Sequence, residues 1–433
     1  MAAYIAQALP EATPAAPTAP RTYAWIVFAL TFGLLLSDYM SRQVLNAVFP
    51  VLKVEWSLSD TQLGSLSSIV ALLVGILTFP LSVVADRWGR VRSVTLMAGL
   101  WSLATLGCAI SASYNEMFIA RFCVGVGEAA YGSVGIALIL SIFPAHLRST
   151  LSSAFMAGGP VGSVVGMAFG GVIAAKFGWR WSFGAMAAFG LMLVVLYALI
   201  VRESRLCAPG TTRPVAQSAA RPGLKSIFSG LFSSVSVIAA YVGSGLQLFI
   251  MAAMLAWLPS FLNRYYELPT DKAGVGAAVF ILIGAIGMVV CGIVTDRLSR
   301  KAPERKWTIA MTYSLGSASL LLIAFQLPPG PAQLAVIGAG MAMVAGTTGP
   351  AGAMVANLIH PSIHATAFAT LTLANNLLGL APGPFVTGFI ADRMGLMGAM
   401  QLVPLVALGA TAAFAIGKRR YAEDLKRIEA MQG

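Results

Sequence analysis

The chain reads as a succession of long apolar runs broken by short polar punctuation. The runs lie approximately at 22–50, 62–85, 91–112, 116–143, 149–176, 180–201, 226–262, 273–295, 307–327, 332–358, 365–391 and 395–417. Most reach or exceed the roughly 20 residues that a helix needs to cross the hydrocarbon layer of a membrane. The pattern predicts an all-α polytopic membrane protein with twelve crossings, which leaves both chain ends on one side. The longest polar interruption, RESRLCAPGTTRPVAQSAARPGLK at 202–225, divides the runs six and six and reads as a linker. The expected organisation is therefore a flexible tail over 1–21, a six-helix bundle over 22–201, a linker over 202–225, a second bundle over 226–417 and a tail over 418–433.

Composition agrees, since 58% of residues are apolar and only 10% charged, where soluble domains carry about a quarter charged. The net charge of +12 is distributed unevenly. Arg87, Arg90, Arg92, Arg148, Arg202, Arg205, Arg213, Arg221, Lys225, Arg297, Arg300, Lys301, Arg305 and Lys306 all fall on the same side as Arg21 and Lys418, Arg419 and Arg420. Lys and Arg accumulate on cytoplasmic loops, so both termini are expected in the cytoplasm of a bacterial inner membrane. That bias accounts for the charge without a nucleic-acid surface. The opening MAAYIAQALPEATPAAPTAP lacks the basic start of a secretory signal. Cys108, Cys123, Cys207 and Cys291 show neither metal-ligand spacing nor a plausible extracytoplasmic pair, so no metal and no cofactor are implied.

The two halves carry matching punctuation. DRWGR at 86–90 answers DRLSR at 296–300, and AAKFG at 174–178 matches the position of IADRMG ending at Gly395. Two related bundles produce such a pattern. Asp86, Arg87 and Arg90 can form charge-assisted bonds at a helix end, with Gly89 permitting a tight reversal. With the second copy at Asp296, Arg297 and Arg300, these residues are expected to form a gate latch between the bundles. The run GGPVGSVVGMAFGG, which includes Gly158, Gly159, Pro160 and Gly162, predicts close helix packing and a bend at the proline. It lacks the GKS/T and strand context of a phosphate loop, so ATP-driven transport is not expected.

Four ionisable residues lie inside apolar runs, where an uncompensated charge costs at least a few kcal/mol. Asp38 and Arg42 are four apart in the first run and share a helical face; Arg121 and Glu128 are seven apart in the fourth. A static network would only hold helices together, and buried ion pairs rarely improve on apolar packing. A proton-coupled network is favoured, with Asp38 or Glu128 titrating, Arg42 as the switching partner and Arg121 as the orienting base. The same network can equally hold an anionic head group.

The interiors of the last six runs contain no Asp, Glu, Lys, Arg or His. A charged wall would thus face an apolar one broken by Tyr241, Gln247, Asn375 and Asn376, which suits an amphipathic molecule or an organic anion better than a sugar. Together with Arg42, Glu128 and Tyr131 these are the candidate substrate contacts. His146, His360 and His364 sit near predicted cytoplasmic ends, where solvation is their expected role. The tail KRRYAEDLKRIE reads as an amphipathic segment lying on anionic head groups. Nothing combines a nucleophile, a base and an orienting group, so the chain is not expected to be an enzyme, and no filter-like loop suggests a channel.

ADRWGR with its second copy TDRLSR, RFCVGVG at 121–127 and GGPVG at 158–162 together resemble the major facilitator superfamily over residues 22–417. Ser82 departs from the glycine usual in the loop motif, which weakens the expectation of closest packing there. Within the superfamily, SDYMSRQVLNAVFP at 37–50, GEAAYGS at 127–133 and IFPAHLRS at 142–149 resemble the spinster group, and imply a bacterial homologue of it. The resemblance implies Arg42 and Glu128 as cavity residues, Asp38 as the proton-coupling residue, and substrates like the lysophospholipids or sphingoid phosphates of animal members. Anion:cation symporters carrying hexuronates or phthalate-like acids share several of these motifs. The expectation is a proton-coupled secondary active transporter for an amphipathic or lipid-like anion, working by alternating access. A small-carboxylate symporter and a non-transporting receptor are the alternatives. Membrane lipids and the substrate are the expected partners, and a monomer suffices.

Overall fold

A computed structural model describes residues 20–144, 147–203, 234–300, 302–359 and 364–432. The helices of the first half are α1 (Arg21–Glu55), α2 (Asp60–Trp88), α3 (Arg90–Ile110), α4 (Tyr114–Glu128), α5 (Tyr131–Ile142), α6 (Arg148–Met156), α7 (Gly158–Phe177) and α8 (Trp179–Ile200). The second half contributes α9 (Val235–Tyr265), α10 (Thr270–Ser299), α11 (Arg305–Ala324), α12 (Pro331–Ala345), α13 (Thr348–Asn357), α14 (His364–Asn375), α15 (Pro382–Leu402) and α16 (Val406–Gln432). Among the described residues, eleven helical stretches are long and apolar enough to cross a membrane. The last of them, Thr366–Lys426, runs for 61 residues and contains a non-helical break at Gly395.

Local chemistry sets the helix ends. Ser59 and Gln62 form a reciprocal capping box at the start of α2, with Ser59 Oγ accepting from Gln62 N (3.1 Å) and Gln62 Oε1 from Ser59 N (3.0 Å). Gly89 (φ 102°), Gly178 (φ 94°) and Gly395 (φ 76°) each take a left-handed backbone that disfavours any side chain. Gly178 and Gly395 are the glycines that the repeat aligned, and they share the same conformation. In DRLSR the glycine is replaced by Ser299, and α10 there continues in helical geometry to its end.

Several runs that read as single helices are interrupted. The fourth breaks after Glu128, and the fifth divides at Ala157. Pro160 lies in the first turn of α7, where its missing N–H costs nothing, so the division falls ahead of the proline. A π-turn over Asn376–Leu380 separates α14 from α15.

Helices before residue 203 pack mainly among themselves, as do those after 234; the groups meet where α7 touches α10, α2 touches α15 and α1 touches α9. The apolar cores show where they join. One core draws on both groups, with Val44, Phe49, Leu63 and Met167 against Trp257, Phe261, Ala277 and Met400. At the opposite end two cores stand apart, one containing Val27, Val94, Trp101 and Tyr197, the other Val237, Trp307, Met354 and Phe414. The molecule is therefore closed at one end and parted at the other. Phe79 (65% exposed), Leu199 (67%) and Phe169 (57%) face outward, as a lipid-facing surface requires.

Helix α16 runs unbroken past Lys418. Tyr421 packs on Trp307 with ring centroids 6.1 Å apart, and Asp424 Oδ2 accepts from Ser234 Oγ (2.8 Å) and Ser236 N (3.0 Å) at the start of α9. This part of the tail is docked on the bundle, whereas the charge pattern alone suggested a segment lying flat on head groups. Its aromatic and apolar spacing serves a protein contact, because Leu425 packs against the same core.

Candidate functional site

The site is built from the two faces of α1. The glycines of α7 line one of them: a Cβ at Gly162 would sit 2.6 Å from Leu36 O, and one at Gly166 would sit 2.5 Å from Met40 Cα and O. Only glycine allows backbones this close. Asp38 and Arg42 project on the other side of α1, since residues two apart on a helix are separated by about 200°. Helix α4 approaches by the same device. A Cβ at Gly125 would lie 3.0 Å from Val70 Cα on α2, and one at Gly127 would lie 2.7 Å from Trp101 N on α3. The glycines of RFCVGVG thus bring Arg121 and Glu128 to α1.

The resulting network centres on Arg42. Its Nε donates to Asp38 Oδ1 (3.2 Å) and lies 2.8 Å from Glu128 Oε2, a charge contact without an aligned N–H. The guanidinium lies 5.3 Å from the centroid of the Tyr39 ring. Asp38 and Glu128 have side chains 4% and 0% exposed, against 21% for Arg42, so one guanidinium holds two buried carboxylates and is the most exposed of the three.

Arg121, the expected orienting base, makes no ion pair among the described residues. It is buried and donates through Nε to Leu66 O (3.3 Å) and through Nη1 to Ser41 O (3.3 Å). Its positive charge is neighbour to the acids without touching them. Ser41 Oγ in turn donates to Asp38 O (2.8 Å), which ties the Arg121 carbonyl acceptor to the residue that Arg42 grips.

The remaining candidates lie elsewhere. Tyr131 donates to Thr31 O (2.6 Å) and packs edge-on against Trp101, so its hydroxyl ties α5 to α1. Tyr241 donates to Ala367 O (3.4 Å). Gln247 is 1% exposed and neither of its amide atoms has a hydrogen-bond partner among the described residues. Asn376 Nδ2 donates to Thr372 O (2.9 Å), while the Oδ1 atoms of Asn375 and Asn376 lack partners among the described residues. Asn376 also faces α2, where its Cβ is 2.8 Å from the position a Cβ on Gly75 would take. The structure does not bring these second-half groups into contact with Arg42.

At the parted end Arg87, Asp296, Arg297 and Arg300 are exposed, and no ion pair joins them among the described residues. Arg90 donates to Ala137 O (3.1 Å), and the Glu203 carboxylate lies against Gly89. The side chain of Asp86 lies outside the described set, as do His146, His360, Cys207, the linker from 204 and the first 19 residues. Gly158 packs against Phe32 and Leu35, and Gly159 on the Tyr39 ring.

Sequence reasoning missed a second charged junction at the closed end. Asp60 Oδ1 meets Lys53 Nζ (2.6 Å) and Arg264 Nη2 (2.6 Å), and Asp60 Oδ2 meets Arg264 Nη1 (2.9 Å). Asp392 accepts from Asp60 N (2.7 Å) and Thr61 N (2.9 Å). Each of these residues reads in sequence as an ordinary loop charge. The break after Glu128 was also unread, although Thr78 Oγ1 on α2 donates to the freed Ala129 O (2.6 Å).

A family model described as the Major Facilitator Superfamily matches residues 31–384. The chain is 25% identical over 398 residues to human protein spinster homolog 1, covering 87% of this chain and 74% of that one. It is 23% identical over 378 residues to the hexuronate transporter of Bacillus subtilis, covering 86% and 88%. A crystal structure of a bacterial homologue of the human lysosomal transporter spinster, inward-facing and unoccupied, superposes with a TM-score of 0.83 at 19% identity over 94% of this chain and 99% of that one. Among the described residues there is no cluster of His, Cys, Asp and Glu that could hold a metal ion.

Proposed function

The chain belongs to the major facilitator superfamily, and we propose that it is a proton-coupled secondary active transporter that moves an amphipathic or lipid-like anion by alternating access. The observation that carries the reading is Arg42 held between Asp38 and Glu128 at 3.2 and 2.8 Å while remaining the network's accessible member. An anionic head group reaching Arg42 competes with both carboxylates. A proton on either carboxylate weakens its hold, so proton and substrate occupancy are linked through one guanidinium. Arg121, fixed by two carbonyls, keeps α1, α2 and α4 in register and supplies the field that balances the second acid.

Twelve crossings follow if Gly395 is a reversal, because 61 residues of helix would span about 90 Å, far more than one bilayer. The bundles then run over 22–201 and 226–417, joined by the linker at 202–225, with both termini cytoplasmic in a bacterial inner membrane and no partner chain required. The parted end becomes the cytoplasmic one and the conformation inward-facing. The DRWGR and DRLSR segments would meet when that end closes. Gln247, Asn375 and Asn376, with unsatisfied buried amide atoms, are the second-half groups we assign to substrate once the helices shift. Tyr131 and Tyr241 support them by holding helices together.

The relative from Bacillus subtilis, a hexuronate transporter, favours a second reading in which the cargo is a small carboxylate. Flux into proteoliposomes under an imposed proton gradient separates the two. Lysophospholipid uptake that is lost in Asp38→Asn and Arg42→Ala supports the lipid-like anion, and selective hexuronate uptake supports the small acid. Binding of either without flux would indicate a receptor, and normal flux in both variants would remove the network from the mechanism.

A further inference from the structure

The segment Ala391-Asp392-Arg393-Met394-Gly395 repeats Ala85-Asp86-Arg87-Trp88-Gly89 with one substitution. Both segments end a helix on a glycine in the left-handed region, at φ 102° for Gly89 and 76° for Gly395. The earlier segment lies at the parted end. The later one lies at the closed end and reaches across the molecule, with the Asp392 carboxylate on the first backbone amides of α2, those of Asp60 (2.7 Å) and Thr61 (2.9 Å). A carboxylate there meets both unpaired N–H groups and the positive end of the helix dipole. Asp60 then turns its own side chain, 4% exposed, onto Arg264 of α9 and Lys53 of α1. Four helix ends, two from each half, meet at one charged junction.

Glycine brings backbones together at both the α2–α15 seam, where Gly64 lies against Pro384 O and Gly388 against Asp60 O, and the α7–α10 seam, but the latter carries no charged contact among the described residues. The position matching Asp392 in AAKFG is Ala175, and no acid stands there. Helices α7 and α10 are held by backbone proximity alone. A Cβ at Gly171 would fall 2.8 Å from Thr270 O and 3.1 Å from Gly274 Cα. Such a contact can pivot but has no charge to release.

We propose that the Asp60–Arg264–Asp392 junction is the releasable lock of the closed end and that the glycine seam of α7 and α10 is the hinge about which that end opens. The lock rests on the alternating-access reading given above. Its hydrogen bonds are charge-assisted and span the halves, so breaking them acts on the closed state alone, whereas the hinge contact persists in both states.

The test reads conformation without substrate. Spin labels at Ser57→Cys and Gln326→Cys, both exposed at the closed end, are placed in a chain lacking Cys108, Cys123, Cys207 and Cys291, and the distance between them is measured in lipid nanodiscs. The parent should give one dominant short distance. Asp392→Ala and Arg264→Gln should each raise the open-to-closed ratio on the order of tenfold. Arg264→Lys should restore part of the short population. Arg393→Gln, which loses a bond to Phe389 O and a cation–π contact with the Phe389 ring, both within its own helix, should leave the parent distribution intact. Unchanged distances in Asp392→Ala and Arg264→Gln, or an equal shift in Arg393→Gln, would overturn the lock. Because no substrate is present, that result would leave the transport reading standing, and absence of flux would leave the lock standing.

Discussion

Replacing Arg42 by Gln removes the one cation that, among the described residues, touches Asp38 and Glu128. The side chains of those acids are 4% and 0% exposed, so neither can recover its lost partner from water. Breaking a buried ion pair from one side costs about 3–5 kcal/mol, most of it the charge left uncompensated. Arg121 pairs with neither acid, its Nε and Nη1 donating to Leu66 O and Ser41 O. Adding Glu128→Gln to Arg42→Gln deletes one of the two stranded charges and should recover about half of the loss, a coupling of at least about 1.5 kcal/mol. The assay is a double-mutant cycle by SDS-titrated unfolding in mixed micelles, followed by tryptophan fluorescence, with midpoints and slopes compared across parent, single and double variants. If the two single effects add to within about 0.5 kcal/mol, the residues are energetically independent. The shared-guanidinium mechanism would then be refuted whatever the transport data showed.

Other outcomes follow from single contacts. Gly166→Ala should destabilise by about 1–3 kcal/mol, since its Cβ would fall 2.5 Å from Met40 backbone, whereas Gly132→Ala, with nothing within 4 Å, should be neutral or slightly stabilising; the same unfolding titration compares them. Gly395→Ala should cost on the order of 1–3 kcal/mol, because φ 76° with ψ 161° is a region reserved for glycine. A variant as stable as the parent would mean that the chain does not turn there. Tyr131→Phe should lose about 1 kcal/mol with the bond to Thr31 O, and leave the ratio of lysophospholipid to hexuronate uptake unchanged. A changed ratio would place that hydroxyl against substrate instead.

The apolar runs were legible because helix length, hydrocarbon thickness and side-chain transfer energy are properties of local sequence. The paired glycines of GGPVGSVVGMAFGG and RFCVGVG were legible as packing surfaces for a related reason, since the absence of a Cβ matters wherever a backbone comes close. Asp38 and Arg42 could be paired from their spacing alone. The helix breaks after Glu128 and at Asn376 were not, because the carbonyls they free are satisfied by partners or left open according to neighbours far away in sequence. Thr78, which meets Ala129 O, is one such neighbour.

The sequence by itself determined that this chain is a helical membrane protein, that four charges sit within its crossings, and that its halves share punctuation. Tertiary structure alone decided that Arg42 reaches Glu128 as well as Asp38, that Arg121 rests on carbonyls, and that Asp392 caps a helix 331 and 332 residues away at Thr61 and Asp60. Spacing along one helix fixes direction only within that helix. Which charge meets which across helices depends on how closely the backbones approach, and here glycine contacts and the closure of one end set that approach.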